Sequence, residues 1–328
     1  MAIWSYVRGG DTIDIKTGYS CNNRCLHCVV EPVRSKIVLD GEKQDLTTDE
    51  VVAHIDQAAG GGAKAVVLTG GEVTLRHDFL HLVRHAASCG LGVIVQTNGR
   101  RLSAPEHCEA LRSVPDMLFV VALHAPRAEL HDRITKRRNS FDETVAAIRN
   151  LCCIDKEVAA KIVLSRLNAD EVLATARFAR SLGVNEFCVV FPHALDFPDE
   201  QFREVVPRYR DLREQLSATC RYAEAEGLPV TFETVPYCVM GNDPGLWRRS
   251  CDLQSKVQQR PATGDTRVFG DRFEWDELRP TMKAKSDSCS TCVFDRLCEG
   301  PWSEYVAAFG HSEFVPVLPA DVASFLEG

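Results

Sequence analysis

Short apolar runs alternate with longer segments of helical period between residue 12 and about residue 192. The apolar runs are rich in β-branched residues and predict six strands, at residues 12–17, 63–69, 92–97, 117–123, 158–164 and 186–191. This alternation is typical of βα units around a parallel sheet, and it predicts an α/β fold. The pattern alone leaves open whether the sheet is doubly wound or forms an incomplete barrel.

Starts of helices can be read between the strands. Thr47 with Glu50, and Ser140 with Glu143, fit the capping box, in which a hydroxyl and a glutamate each accept a backbone N–H. The alternation stops after residue 191, where prolines follow. Beyond them we expect one long charged helix over about residues 199–226 and a further strand in LPVTFETV, residues 228–235.

The composition and the periodicity of the chain change after that strand. Residues 238–310 are rich in Gly, Pro and Cys and show little periodicity. Such a segment indicates a small appendage held together by something other than a large core. We therefore predict a core over residues 1–195, a linking helix and strand over residues 196–236, and a small Cys-rich C-terminal domain over residues 237–328.

The composition narrows the classes of protein and partner. Of 328 residues, 45% are hydrophobic and 26% are charged, which is ordinary for a globular protein. No apolar run is long enough to span a membrane and no secretory signal is recognisable, so we expect a cytoplasmic protein without a membrane partner. The net charge of −8 disfavours a nucleic-acid partner. A peptide or a small molecule is the expected substrate.

Clustered cysteines indicate metal or redox chemistry. Fourteen cysteines in a reducing compartment are not expected to pair as disulfides. Cys21, Cys25 and Cys28 follow the first predicted strand with the spacing C-x3-C-x2-C, where loops of α/β folds form active sites. Three thiolates can hold three irons of a four-iron cluster and leave the fourth iron open to a small molecule. The alternative is a zinc loop completed by His27 or by a distant residue.

The triplet, followed by LTGGE at residues 68–72, resembles the radical S-adenosylmethionine (SAM) superfamily. The match continues with QTNG at 96–99, VALH at 121–124 and SRLN at 165–168, so that it covers about residues 12–192; Val73 stands where proline is common. The resemblance implies a partial (β/α)6 TIM-like barrel. It also implies that SAM binds the open iron of a [4Fe-4S] cluster held by Cys21, Cys25 and Cys28. Reductive cleavage then gives a 5′-deoxyadenosyl radical, which abstracts a substrate hydrogen.

The resemblance also implies SAM contacts. Gly70 and Gly71 would let the backbone approach a ligand, and Glu72 offers a carboxylate to the methionyl ammonium. His27 occupies a position where the family has an aromatic residue near the adenine; the alternative is a solvent-facing histidine. Further candidates stand at strand ends, where each taken alone is more typical of a turn or cap but the ordered set indicates a shared site: Thr97, Asn98, His124, Ser165 and Arg166.

A second cysteine group resembles the auxiliary-cluster extensions of these enzymes, known as SPASM or, when shortened, twitch domains. Cys289, Cys292 and Cys298 have the spacing C-x2-C-x5-C, and the later cysteines of a full SPASM pattern are missing, so one auxiliary [4Fe-4S] cluster is expected. Its fourth ligand must come from upstream: Cys238 is preferred and Cys251 is the alternative. A four-cysteine zinc knuckle shares this spacing, and a zinc-stabilised binding module is the competing class of protein.

The other cysteines have no ligand spacing. Small buried hydrophobic positions are expected for Cys89, Cys108, Cys188 and Cys220, and a helix end for Cys152 and Cys153.

The expected activity is oxidative or bond-forming modification of a peptide; the alternative is a sugar or nucleoside dehydrogenase or decarboxylase in natural-product or cofactor biosynthesis. A reductase such as flavodoxin or ferredoxin would supply electrons. About twenty residues precede Cys21, so peptide recognition would need a separate protein or another surface. The segment HDRITKRRNSF, residues 131–141, either holds a substrate carboxylate or phosphate or is a solvated loop.

Overall fold

The fold is an α/β half-barrel, seen here in a computed structural model that describes residues 12–240, 262–264 and 279–326. Neighbouring strands are all parallel, in the order β7-β6-β5-β4-β3-β2-β1-β8. The strands are β1 Thr12–Lys16, β2 Ala65–Thr69, β3 Gly92–Thr97, β4 Met117–Ala122, β5 Glu157–Val163, β6 Glu186–Val190, β7 Val230–Glu233 and β8 Ala262–Gly264. The expected half-barrel is therefore confirmed.

Helices cover the outer face of this curled sheet. They are α1 Glu31–Leu39, α2 Thr48–Gly60, α3 Phe79–Ser88, α4 Pro105–Glu109, α5 Ala128–Thr135, α6 Ser140–Cys153, α7 Val172–Ser181, α8 Asp199–Val205, α9 Tyr209–Glu226, α10 Ser303–Phe309 and α11 Pro319–Leu326. Among the described helices, none combines the length and the apolar character needed to cross a membrane.

The two faces of the sheet differ because side chains alternate along each strand. Outward residues such as Val66, Phe119 and Ile162 pack with the helices in the main core. Inward residues at the bottom of the lumen form a smaller apolar cluster, which consists of Val67, Ile94, Leu118, Val120, Ala159 and Cys188. Buried polar side chains, which include Glu72, Thr97, Asn98 and His124, gather at or just beyond the carboxyl ends of β2, β3 and β4, where the active site was expected.

Two expectations about helices are wrong. The single helix over residues 199–226 is two helices, because Pro207 has no N–H to continue the first and forces Val206 into an extended conformation. The capping box at Ser140 is absent: Asn139 is the N-cap, and the Ser140 hydroxyl instead bonds Thr135 and Asp132. The capping box of Thr47 with Glu50 is present as predicted.

Strand β8 was not expected, because it lies in the segment that shows no periodicity. It pairs with β1 and extends the sheet on the side opposite β7.

The described C-terminal residues pack on the barrel. The Tyr305 hydroxyl accepts the backbone N–H of Tyr209 at 3.1 Å and donates to Glu313 at 2.8 Å. The rings of Tyr305 and Tyr209 lie 4.7 Å apart, and Phe191 stacks on Tyr209 at 3.8 Å. The C-terminal part therefore shares the hydrophobic core of the barrel.

Candidate active site

The cysteine loop begins where β1 ends, and two glycines hold it against the loop after β2. Gly71 N–H donates to Gly18 O at 2.7 Å, and Glu72 N–H donates to Ser20 O at 2.7 Å. A Cβ on Gly70 would lie 2.2 Å from Gly18 O, and one on Gly71 would lie 2.2 Å from Ser20 O. Glycine is therefore required at both positions so that the loop after β2 can lie against the cysteine loop. The predicted approach of this backbone to a ligand stays a prediction.

The three thiols of this loop lie together and partly buried. Burial raises the pKa of Cys25, and the neighbouring charges of Cys28 and Cys21 raise it further. Burial likewise raises the pKa of Cys28 to about 11. Thiols that repel one another when ionised need a bound cation to exist as thiolates, because a coordinated metal stabilises the deprotonated form. The donor set therefore fits three irons of a cluster.

Arginines support the cysteine loop from outside. The Arg34 guanidinium donates twice to Asn23 O at 3.2 Å, Arg100 donates to Asn22 O at 2.7 Å, and Arg137 donates to the same oxygen at 2.9 Å. Arg34 and Arg100 were missed from the sequence, where isolated basic residues carry no signal, whereas Arg137 lies in the basic segment 131–141 noted there. The three arginines fix the loop through its carbonyl groups, and Arg34 also opposes the rise that burial causes in the pKa of Cys21.

Segment 131–141 also meets this loop. Leu26 N–H donates to Ile134 O at 2.9 Å, and Asp132 accepts the N–H of Asn139 at 2.6 Å and of Phe141 at 2.9 Å. Together with the Arg137 contact, these bonds make the segment a brace for the cysteine loop and a cap for α6. The basic residues 136–138 are exposed in the turn between α5 and α6, as expected of a solvated loop, and the binding of a substrate carboxylate or phosphate stays a prediction.

Glu72 joins the ends of β2 and β3. Its carboxylate is buried and accepts the Thr97 hydroxyl at 2.6 Å, the Asn98 N–H at 2.6 Å and the Thr74 hydroxyl at 2.6 Å. Burial raises the pKa of Glu72, and these hydrogen bonds oppose that rise. The Asn98 amide in turn donates to Asn22 Oδ1 at 2.7 Å, so the network reaches the cysteine loop.

Three buried imidazoles line the other side of the loop. The ring of His27 meets that of His124 edge to face at 4.6 Å, and His131 stacks on His124 at 5.6 Å. His27 is 8% exposed, so the solvent-facing alternative is wrong. Ligand atoms of Cys25, His27 and His124 lie within 4.8 Å of one another.

Burial makes these imidazoles neutral. It lowers the pKa of His27 and of His131 to about 4, and that of His124 well below its usual value. His124 Nδ1 accepts the Val163 N–H at 3.4 Å, so its proton is on Nε2. Buried His27 Nδ1 makes no hydrogen bond within the part of the chain that the structure describes. A buried nitrogen in this state suits a ligand that brings its own donor.

The two candidates from the fifth strand end differ. Ser165 is buried, and its N–H and hydroxyl both donate to Asn168 Oδ1, at 2.6 and 3.0 Å. Asn168 then donates to His124 O at 2.9 Å, so this residue of SRLN positions His124. The exposed guanidinium of Arg166 donates to Arg203 O, at the end of α8, at 3.1 Å. The structure therefore does not bring Arg166 to the histidines.

The C-terminal cysteines Cys289, Cys292 and Cys298 lie near the thiol of Cys238. Burial raises the pKa of Cys238 to about 12, and the neighbouring thiols of Cys298, Cys292 and Cys289 raise it further when they ionise. Backbone N–H groups of Gly300 and Val317 point at Cys298 and Cys292, both at 3.4 Å. This donor set fits a second cluster. The alternative ligand Cys251 lies outside the described residues.

The remaining cysteines lie where they were predicted except Cys89, which is not fully buried and lies beside Asp56 and His85. Cys108, Cys188 and Cys220 are buried, Cys89 is half-buried at the end of α3, and Cys152 and Cys153 end α6.

A charged pair lies in the lumen above the apolar cluster. Lys161 on β5 alternates with the outward residues Ala160 and Ile162, so that it faces inward. Its ammonium lies 3.9 Å from the Glu233 carboxylate on β7, and its charge lowers the pKa of His27 and His124. The lumen therefore carries a cation, the Lys161 ammonium, close to His27 and His124.

The arrangement at the strand ends, with a thiol triplet, a tied glycine loop and buried imidazoles, fits a cluster-binding site. A family model described as the radical SAM superfamily matches residues 15–179. The chain belongs to the radical SAM superfamily.

Individual relatives are of several kinds. The chain is similar to the AdoMet-dependent heme synthase of Methanosarcina barkeri, with 26% identity over 88% of this chain and 90% of that protein. The mycofactocin maturase of Mycolicibacterium smegmatis is 29% identical over 50% of this chain and 40% of its own length. SuiB of Streptococcus suis bound to S-adenosylmethionine has the same fold, with a TM-score of 0.65 and 14% identity over 94% of this chain and 76% of SuiB. The structure of anSMEcpe with AdoMet and a peptide bound also has this fold, with a TM-score of 0.64 and 14% identity over 96% of each chain.

Proposed function

We propose that this radical SAM enzyme oxidises or crosslinks a peptide through a substrate radical. Cys21, Cys25 and Cys28 would hold the [4Fe-4S] cluster, which with SAM would supply the radical chemistry for hydrogen abstraction from the substrate. The observation that carries the proposal is the thiol triplet Cys21, Cys25 and Cys28, set on one braced loop beside buried imidazoles.

The protein residues around the triplet then have distinct tasks. Gly70 and Gly71 hold the cysteine loop against β2, and Glu72 sets the positions of Thr97 and Asn98. His27 offers an adenine its ring face and a buried Nδ1 that has no hydrogen-bond partner among the described residues. Neutral His124, held by Asn168, closes the pocket behind it. The buried histidines exclude water from this side, which a reactive radical requires.

The C-terminal cysteines give the second part of the proposal. Cys238, Cys289, Cys292 and Cys298 would hold one auxiliary [4Fe-4S] cluster in a SPASM- or twitch-like extension. With four cysteine ligands such a cluster has no iron free for substrate, so its role is to accept or relay an electron. This role suits net oxidation of the substrate.

Peptide modification is supported by three comparisons. SuiB bound to its precursor peptide SuiA and anSMEcpe bound to a peptide share the fold, and the mycofactocin maturase is similar in sequence. A separate recognition protein would deliver such a peptide.

A small-molecule oxidation in cofactor biosynthesis is the second candidate. The heme synthase of Methanosarcina barkeri is similar over nearly the whole length of both chains. The lumenal cation of Lys161 suits a carboxylate-bearing substrate of either kind.

A reductase such as flavodoxin or ferredoxin would dock where the cysteine loop reaches the surface. A groove of about 620 Å³ opens there, and it is lined by Cys21, Arg34 and Arg137 among others. Its arginines suit an acidic electron carrier.

The first experiment measures the reaction with SAM. Protein reconstituted without oxygen and reduced by dithionite should form 5′-deoxyadenosine, should carry about eight irons for two clusters, and should lose the activity in Cys25→Ala. Colourless protein that holds zinc would show the binding-module alternative instead.

Co-expression with a short peptide encoded beside the gene, followed by mass spectrometry, tests the substrate. A loss of two hydrogens supports peptide oxidation, and an unchanged peptide favours the second candidate.

A further inference from the structure

Three metal-ligating side chains meet on the outer face of the barrel, away from both cysteine groups. Asp56 comes from α2, His85 from the last turn of α3, and Cys89 from the C-cap of α3. Their ligand atoms all lie within 4.8 Å of one another. His85 and Cys89 are four residues apart and therefore project from the same face of α3, towards α2.

The three atoms converge on one point. His85 Nε2 lies 2.6 Å from Asp56 Oδ1, and Cys89 Sγ lies 3.8 Å from each of these two atoms. A point equidistant from the three atoms is about 2.0 Å from each, which is the length of a zinc bond to nitrogen or oxygen and slightly shorter than a zinc–sulfur bond. Small side-chain movements would accommodate the sulfur.

The same geometry argues against a nucleophilic thiol. In a Cys–His–Asp triad the thiol and the carboxylate contact opposite ring nitrogens, so that the imidazole passes a proton between them. Here the carboxylate oxygen and the sulfur both approach Nε2. The sulfur and the carboxylate oxygen thus lie on the same side of the ring, as ligands do around a shared ion.

We propose that Asp56, His85 and Cys89 bind a divalent zinc ion that links α2 to α3. A set of one thiolate, one imidazole and one carboxylate is selective for zinc over calcium or magnesium, which prefer oxygen ligands alone. The Asp56 side chain is 56% exposed, so the fourth position is open to water. Binding converts the Cys89 thiol to a thiolate and releases its proton to solvent, so affinity increases with pH.

Such an ion would stabilise the barrel and would take no part in the radical reaction. The two helices flank β2, whose following loop contains Gly70 and Gly71 and holds the cysteine loop. An ion between α2 and α3 would stabilise the layer that supports this loop.

The test uses cluster-loaded protein, in which the other cysteine groups are occupied, and zinc chloride as the probe. X-ray absorption at the zinc edge should show one sulfur and about three nitrogen or oxygen ligands. Competition with a chromophoric chelator should show at least about tenfold weaker zinc binding in Cys89→Ser and in Asp56→Asn. Cys153→Ser removes an exposed thiol elsewhere and should leave the affinity unchanged.

Three results would overturn the assignment. These are a zinc ion with three or four sulfur ligands, a Cys89→Ser protein that keeps both the sulfur ligand and the affinity, and an equal loss of affinity in Cys153→Ser. Unchanged iron content and circular dichroism of the variants show that they fold, and Asp56→Asn alters an exposed side chain that the core does not need. The readout is zinc coordination, so it does not depend on SAM cleavage.

Discussion

His131 Nδ1 accepts the backbone N–H of His124 at 3.2 Å, and both rings are almost fully buried. The bond fixes the neutral His131 ring with its proton on Nε2. A side chain seven residues downstream thus positions the backbone of the strand end that approaches Cys25.

Stability should fall in mild acid because of these imidazoles. The unfolded chain protonates histidine near pH 6.5, whereas burial lowers the pKa of His131 in the folded protein to about 4. The unfolded state therefore binds more protons between these values, and stability is lost as pH falls from about 6.5 to about 4. His131→Asn keeps an acceptor for His124 but cannot titrate, so its unfolding free energy should depend less on pH in this window.

Urea unfolding of cluster-free protein at several pH values measures the effect. His81→Asn changes an exposed histidine of α3 and serves as the control. An identical pH slope for wild type and His131→Asn would contradict the prediction.

The glycines after β2 make a second prediction. Gly71→Ala places a Cβ 2.2 Å from Ser20 O, so the cysteine loop must move. We expect a loss of roughly 1–3 kcal/mol in stability and weaker SAM binding. Gly60→Ala is the matched control, because a Cβ there meets nothing within 4 Å and alanine favours the helix. Thermal unfolding and equilibrium dialysis with SAM measure both effects; equal behaviour of the two variants would contradict this account of the loop.

Local patterns predicted the strands well because each one is a compact β-branched run. Predicted ends such as residues 92–97 agree with β3 Gly92–Thr97, and the capping box at Thr47 needs only four consecutive residues. The motifs at the strand ends could also be placed together from the sequence, because parallel strands bring their carboxyl ends to one edge of the sheet.

Contacts between distant residues could not be read in the same way. Ser140 does not cap α6, because Asp132 on the preceding helix accepts its hydroxyl and the nearby N–H groups. Strand β8 has three residues, too few to show a period, and its partner β1 lies far back in the chain. Arg34 and Arg100 support Asn22 and Asn23 through carbonyl oxygens, a contact that leaves no sequence signature.

The auxiliary site makes a third prediction, which separates its task from that of the first cluster. Cys292→Ala should lose about four irons yet still form 5′-deoxyadenosine, because Cys21, Cys25 and Cys28 are untouched. Product formation should stop, since the substrate radical loses its electron acceptor. Cys220→Ala, at a buried cysteine without ligand spacing, is a control for iron content. The division of labour is wrong if Cys292→Ala and Cys25→Ala lose 5′-deoxyadenosine formation to the same extent.

The ammonium group of Lys161 in the lumen leads to the last prediction. Lys161 faces inward beside the histidines, and its only ion pair among the described residues is with Glu233 at 3.9 Å, which leaves the ammonium able to meet a substrate carboxylate. Lys161→Met should lower kcat/KM for product roughly 10–100-fold, as expected when one charged contact is lost. SAM cleavage without substrate should persist, because no cluster ligand changes. Lys64→Met alters an exposed lysine before β2 and should leave kcat/KM unchanged. Unaltered kcat/KM in Lys161→Met would show that the substrate does not use this charge.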